Sequence, residues 1–341
     1  ESPLNPPVNM VNPAAATELT PDIMELARAL LHDPALIYEF IHNNIDYVPY
    51  YGSLKGATLT LLERSGNDFD QASLMIALLK ASTITAQYGY GKMIIPNSGT
   101  PDKHDLFHWL GLDNTITNEQ LAKAMISMVL GSGGIPCDTS TPPFTIMDRV
   151  WVKATINGAD YSFDPAFKIY EDNRSKRTEL VSAMGYNRTT LLEAVGGSED
   201  TTDSSIKNLN DSNLRTKLLE YSNRLVSSLQ TNFSKAEVGE VIGGRKIIPE
   251  YIDPDELPTS LPFPTTGDTV YWDWDKMPEN RVHKVKIQHG GINVILSIPQ
   301  IAGKKLALTY DTKPIIMARE AAPEMIEAAH SGDFDAAILL R

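Results

Sequence analysis

The densest apolar run in the chain is Ala72 to Leu79, where nearly every side chain is apolar. A helix of that composition has no wet face, so it must be covered on several sides and form the centre of a domain. Arg64-Ser65-Gly66-Asn67-Asp68 precedes it as a tight turn, in which Gly tolerates positive φ and the Asn and Asp side chains can take up the first free amides of the helix. Ile84 to Gly91, with aromatic residues and glycines at short spacing, leads into Met93-Ile94-Ile95-Pro96 and predicts a strand ended by proline. Upstream, Thr20-Pro21-Asp22 opens a helix with a capping Thr and Pro at the first helical position, and Ile23, Leu26, Leu30 and Leu31 give it an apolar stripe. A second helix begins after Asp33-Pro34 and carries Leu36, Ile37, Phe40 and Ile41. Helical spacing recurs at Leu121, Ala124, Met125 and Met128, and again at Leu214, Leu218, Tyr221, Leu225 and Leu229 with charges between them.

Around these elements the pattern is looser. Residues 1–17 contain Pro3, Pro6, Pro7, Pro13 and a run of Ala, which suits an extended leader. Residues 171–205 are polar and read as a surface connection. From Leu257 the chain is punctuated by prolines. His283–Ile287 and Asn293–Ile298 then flank Gly290-Gly291, a hairpin signal, and Ile301–Tyr310 adds a further strand. The last thirty residues read as a helix or a frayed end. The expected organisation is therefore a leader over 1–17, a mixed helix and strand domain over 18–245, and a β-rich appendage with a helical tail over 246–341.

Composition narrows the function classes. With 341 residues, 42% of them hydrophobic and 21% charged, the chain has the make-up of a soluble globular protein with room for two compact units. A formal charge of −13 without a basic stripe argues against nucleic acid. No apolar run approaches the ~20 residues a membrane span needs. The single cysteine, Cys137, rules out an internal disulfide. There is no Cys pair, no Asp-x-Asp-x-Asp-Gly loop and no Gly-rich phosphate loop, so neither a metal nor a cofactor is expected. The start at Glu1-Ser2-Pro3 without Met suggests cut ends and a removed signal peptide.

The turn, the apolar helix, Lys80-Ala81-Ser82 and Ile84-Thr85-Ala86-Gln87 resemble the core of transglutaminase-like domains. Ile45-Asp46-Tyr47 stands where that family has an Ile-x-Tyr segment. Two further segments agree in order: Asp148-Arg149-Val150-Trp151-Val152-Lys153-Ala154, and, after Asn157-Gly158, Tyr161-Ser162-Phe163-Asp164-Pro165. The resemblance implies an α+β, papain-like fold with N-terminal helices, a buried central helix and an antiparallel sheet. It also implies a triad of Cys at the helix N-terminus with His and Asp on the two strands. Here the matching positions hold Asp68, Arg149 and Asp164, so only the last agrees with the family.

That replacement changes the chemistry. A papain-like nucleophile needs a thiolate beside an imidazole that can take and return a proton. Arg149 stays protonated and cannot serve as that base. Asp68 at a helix N-terminus is a stabilised carboxylate and a poor nucleophile. If Asp68 and Arg149 lie about 4 Å apart, their attraction is roughly 4 kcal/mol before desolvation. Asp68, Arg149 and Asp164 are expected to converge as a charge cluster that keeps both carboxylates ionised.

Other candidates stand beside the triad. Tyr47, Tyr50 and Tyr51 are expected to pack on the central helix or line the cleft. His42, His104 and His108 are the core imidazoles that could act as a base, with Asp68, Ser73 or Cys137 as nucleophile. The resemblance then implies a catalytically degenerate domain that binds a protein or peptide, or serves assembly, within a larger bacterial secreted or cell-surface protein. The competing expectation is a working hydrolase or acyl transferase with an unusual nucleophile.

Overall fold

The computed structural model describes residues 7–98, 100, 102–112, 118–172, 177–202, 205–235, 244–253, 255–289, 292–310 and 336–340. The chain folds as two compact units, one running to Ile169 and resuming at Ile247, the other Tyr170–Lys246.

In the first unit, helices α1 (Pro21–Ala29), α2 (Pro34–Asn44) and α3 (Gly56–Glu63) surround α4 (Asp68–Ala81). Thr20 and Asp33 cap α1 and α2 with proline at the first turn of each helix, as their sequences predict. Every residue of α4 from Asp68 to Leu79 is buried: the run Ala72 to Leu79 has no wet face, and Asp68, Asp70 and Gln71 before it are hydrogen-bonded.

The main sheet is antiparallel throughout and contains β1 (Thr85–Pro96), β2 (Cys137–Asp138), β3 (Phe144–Ile156), β4 (Ala159–Phe163) and β5 (Thr265–Asp273). Its order is β5-β1-β3-β2, with β4 paired to the second half of β3. Ala86 and Tyr88 from β1 and Val150, Val152 and Ala154 from β3 face α4 in one core, by the period of two that a half-buried strand requires. Gly89 lies opposite Trp151, and a Cβ there would meet the indole Nε1 at 2.2 Å. Gly89→Ala is therefore expected to cost about 1–3 kcal/mol, read from the denaturant midpoint; an unchanged midpoint would mean that Trp151 swings aside freely.

The structure corrects several expectations about organisation. Thr265–Asp273 is not part of an appendage but the edge strand of the main sheet, aligned from Thr265↔Met93 to Asp273↔Gln87. The prolines before it hid this, because proline lacks an N–H. Their carbonyls still accept, from Ser162 to Pro258 at 2.9 Å and from Ile94 to Pro264 at 2.9 Å. The 1–17 leader is partly structured: Val8–Asn9 pairs in parallel with Ile292–Ser297, beside the expected hairpin partner Lys284–His289, and Pro13–Thr17 forms a 3-10 turn. In the expected helical tail, Ala336–Leu340 is a strand paired with Leu306–Tyr310. Residues 311–335 and 341, with the turn at Gly290-Gly291, lie outside the described residues.

The second unit occupies what was expected to be a connection and the end of the 18–245 domain. Among its described residues are helices Arg177–Met184, Arg188–Val195 and Asp211–Asn232, with a small hairpin of Ser198–Asp200 and Ser205–Lys207. Asn187 and Asn210 cap the second and third helices, and Tyr186 meets Tyr221 edge-on at 5.7 Å. Its polar composition conceals a helical unit that buries only a few side chains, Val195 and Tyr221 among them.

Candidate functional site

The N-terminus of α4 is built by its own turn. Asn67 is the cap: its Oδ1 accepts the Asp70 amide at 2.9 Å, and its Nδ2 donates to the carbonyls of Tyr50 at 2.7 Å and Gly52 at 2.8 Å. Asp68, also a cap candidate in the sequence, is instead the first helical residue. Its Oδ2 accepts the Val150 amide at 2.9 Å and its Oδ1 the Phe69 amide at 3.1 Å, which fastens the helix start to β3.

Arg149, one residue before Val150 on β3, is 1% exposed. Its Nη2 donates to both oxygens of Asp164 at 2.7 Å, and its Nη1 lies 3.8 Å from Asp68 Oδ2. The guanidinium stacks 4.4 Å over the ring of Trp109, with Tyr47 5.9 Å away. Asp164 also accepts the amides of Ala166 and Phe167 at 3.2 and 3.1 Å. Asp68, Arg149 and Asp164 thus come together in one buried cluster.

The electrostatics of the cluster are unequal. Burial opposes the Arg149 charge, but Asp164 and then Asp68 outweigh it and hold the guanidinium above its ordinary range. At Asp68 burial pushes the carboxyl up to about 6, and Arg149 offsets only part of that. The cause is geometric, since Nη2 is committed to Asp164 and Asp68 faces Nη1 at 3.8 Å without a hydrogen bond.

The three tyrosines divide. Tyr47 is buried against Trp109 at 4.3 Å between ring centres. Tyr50 donates to Asp70 at 2.6 Å. Tyr51 lies edge-on to Phe69, bonds Tyr90 through the hydroxyls at 3.0 Å, and with Tyr90 donates to Asp148 Oδ2. Arg281 covers the rings of Tyr51 and Tyr90 at 5.1 and 4.7 Å.

Two of these carboxylates, Asp70 and Asp148, are not among the candidates named from the sequence. Asp70 stands three residues after the Asn67 cap, the position where a capping box carries its acid, and that signal was available. Instead of the cap amide it receives the amides of Leu54, Lys55 and Gly56 and the hydroxyl of Ser53, at 2.9 to 3.1 Å. Asp148 had no such signal.

The imidazoles lie elsewhere. His108 Nδ1 is 2.8 Å from Asp105, the cap of its own short helix, and His104 Nδ1 is 2.9 Å from Asp102. His42 contacts Asn43 and Glu250. Ser73 is engaged with the Phe69 carbonyl at 2.7 Å and the Tyr88 hydroxyl at 2.8 Å. Cys137 lies on β2 opposite Met147, and burial raises its thiol. Among the described residues no imidazole is within hydrogen-bond distance of Asp68, Ser73 or Cys137. Among them also no group of three His, Cys, Asp or Glu is placed to hold a metal ion, and no helix is long and apolar enough to cross a membrane.

Beside Asp164 opens a cleft of about 380 Å³, lined by Tyr38, Phe167, Glu250, Tyr251 and Asp253 among others. Lys168, next in sequence to Phe167, is fully buried, with Nζ donating to the carbonyls of Ile41, His42 and Pro165 at 3.1, 2.8 and 2.7 Å. Burial pushes that amine down to about 7, while three acceptors, one for each N–H of an ammonium, favour the charged form.

Residues 17–113 match the model of the transglutaminase-like superfamily. The chain carries a transglutaminase-like domain. Comparison with curated proteins and with solved structures finds no match. The matched segment contains Asp68 and ends before Arg149 and Asp164. Those two join Asp68 through the pairing of β3 with β1, which sets Arg149 opposite Gly91 and delivers β4 and Asp164 beside it.

Proposed function

We propose that this transglutaminase-like domain is catalytically silent and works by binding, as part of a larger bacterial protein at the cell surface or outside the cell. One observation carries the reading: a buried, permanently charged Arg149 stands beside Asp68 and is tied to Asp164 through Nη2 at 2.7 Å. A guanidinium cannot accept the proton that nucleophilic attack releases, and Asp68 is already used to hold the Val150 amide. Against the competing reading, a hydrolase or acyl transferase with an unusual nucleophile, stands that among the described residues no imidazole lies in hydrogen-bond reach of Asp68, Ser73 or Cys137. The cleft beside Asp164, with Tyr38, Phe167 and Tyr251 among carboxylates, suits an extended peptide that carries positive charge.

The test measures amide hydrolysis and acyl transfer to an amine in the unaltered chain, in Asp68→Ala, and in the double change Asp68→Cys with Arg149→His. No turnover is expected from the first two, and thiol-dependent turnover only from the third. Turnover by the unaltered chain that disappears in Asp68→Ala would overturn the proposal.

A further inference from the structure

Helix α2 is fastened to the segment that returns after residue 247. Asn43 Nδ2 donates to the Glu250 carbonyl at 2.8 Å and Asn43 Oδ1 accepts the Glu250 amide at 2.9 Å, so the orientation of this side-chain amide is settled by a fixed acceptor and a fixed donor. Glu39 Oε1 takes the Ile252 amide at 2.7 Å. His42 Nδ1 lies 2.9 Å from the same Asn43 Oδ1. That oxygen only accepts, so Nδ1 carries the hydrogen of the neutral ring and Nε2 presents a lone pair. Nε2 faces Glu250 Oε2 at 3.1 Å. An ionised carboxylate against that lone pair is acceptor against acceptor, and the contact needs one more proton.

We infer that a single proton shared by Glu250 and His42 closes this wall of the Asp164 cleft, and that losing it or gaining a second releases the wall. With one proton, Glu250 donates to Nε2 while Nδ1 donates to Asn43. With none, two acceptors meet; with two, two donors meet. Burial of the imidazole, 3% exposed on its side chain, draws His42 down to about 4, and burial raises Glu250, so the single proton resides on the carboxyl. Glu250 remains half-exposed, which gives its proton an exit to solvent.

The groups facing the pair are Tyr38 on α2, which bonds Glu250, Asp164 and Lys168 from the segment after β4 together with the Phe167 carbonyl, and His104. Asp164 is engaged by Arg149, and Lys168 Nζ is engaged by the carbonyls of Ile41, His42 and Pro165. The signs follow from the two directions. A carboxyl raised in the fold stabilises below its unfolded value of 4.5 and loses that contribution as pH rises through the folded one. An imidazole lowered in the fold stabilises above its unfolded value of 6.5 and loses that contribution as pH falls toward about 4. The clamp is firmest in mildly acid solution and loosens as pH rises through the folded value of the Glu250 carboxyl.

Amide hydrogen-exchange protection at Glu250 and Ile252, corrected for intrinsic rates, tests this in the whole chain. Protection is expected to fall about tenfold or more from mildly acid to alkaline pH in the unaltered chain. It should stay high and flat in Glu250→Gln, whose amide N–H donates to Nε2 at any pH. A flat profile in the unaltered chain, or the same fall in Glu250→Gln, overturns the inference. Nitrogen NMR of His42 in the unaltered chain gives an independent check should the variant fold poorly: a hydrogen on Nδ1 with Nε2 accepting is expected, and a neutral ring with its hydrogen on Nε2 overturns it.

Discussion

Asp70→Ala is expected to lower the stability of the first unit by about 4–6 kcal/mol or to prevent folding, the largest loss from any single truncation near the site. The carboxylate is fully buried and collects the amides of Leu54, Lys55 and Gly56 with the hydroxyls of Ser53 and Tyr50. Each buried donor left without an acceptor costs about 1–3 kcal/mol, and few of these can turn to water without dismantling the loop before α3. Desolvation pushes the Asp70 carboxyl above its ordinary value, and the surrounding donors pull it back. Asp70→Asn should recover little, because its NH2 group points a donor into a ring of donors. Urea denaturation measures the effect; a loss under about 1 kcal/mol would show that the loop stands without its acceptor.

Arg149→Ala is expected to cost about 3–5 kcal/mol, because truncating one member of a buried ion pair strands the other. Asp164 would keep only its two backbone donors, Asp68 its Val150 and Phe69 amides, and the space over Trp109 would empty. Arg149→Lys should fail to restore stability, since an ammonium is a point charge without the flat face that stacks on Trp109. The same denaturation midpoints decide it. An unchanged midpoint in Arg149→Ala would mean that the cluster contributes nothing net, its attraction cancelled by desolvation. Asp68 already shows that competition, drawn up to about 6 by burial while the guanidinium next to it acts in the other direction.

The cluster and the clamp place two kinds of carboxylate within one domain. Asp164 is held by a permanent cation and its hydrogen bonds do not depend on a proton, whereas Glu250 meets a neutral imidazole and needs one. The cleft between them therefore has one fixed wall and one that answers to pH.

What the sequence by itself determined is local. The apolar run Ala72 to Leu79 had to be a covered helix, and Thr20-Pro21 and Asp33-Pro34 had to open helices. Those features are written in residues a few positions apart, where period, capping and turn chemistry operate. Only the tertiary structure decided what joins distant segments. It placed Thr265–Asp273 on the edge of the main sheet, where an exposed strand behind a proline run carries no alternating signal. It recruited Asp70 to the loop before α3, Asp148 to Tyr51 and Tyr90, and Glu250 to a histidine more than two hundred positions away. It also divided Asp68 from Asp164, which the sequence presents as equivalent carboxylates: the positions to which α4, β3 and β4 deliver them put Asp164 in hydrogen-bond reach of the guanidinium and leave Asp68 at 3.8 Å from Nη1.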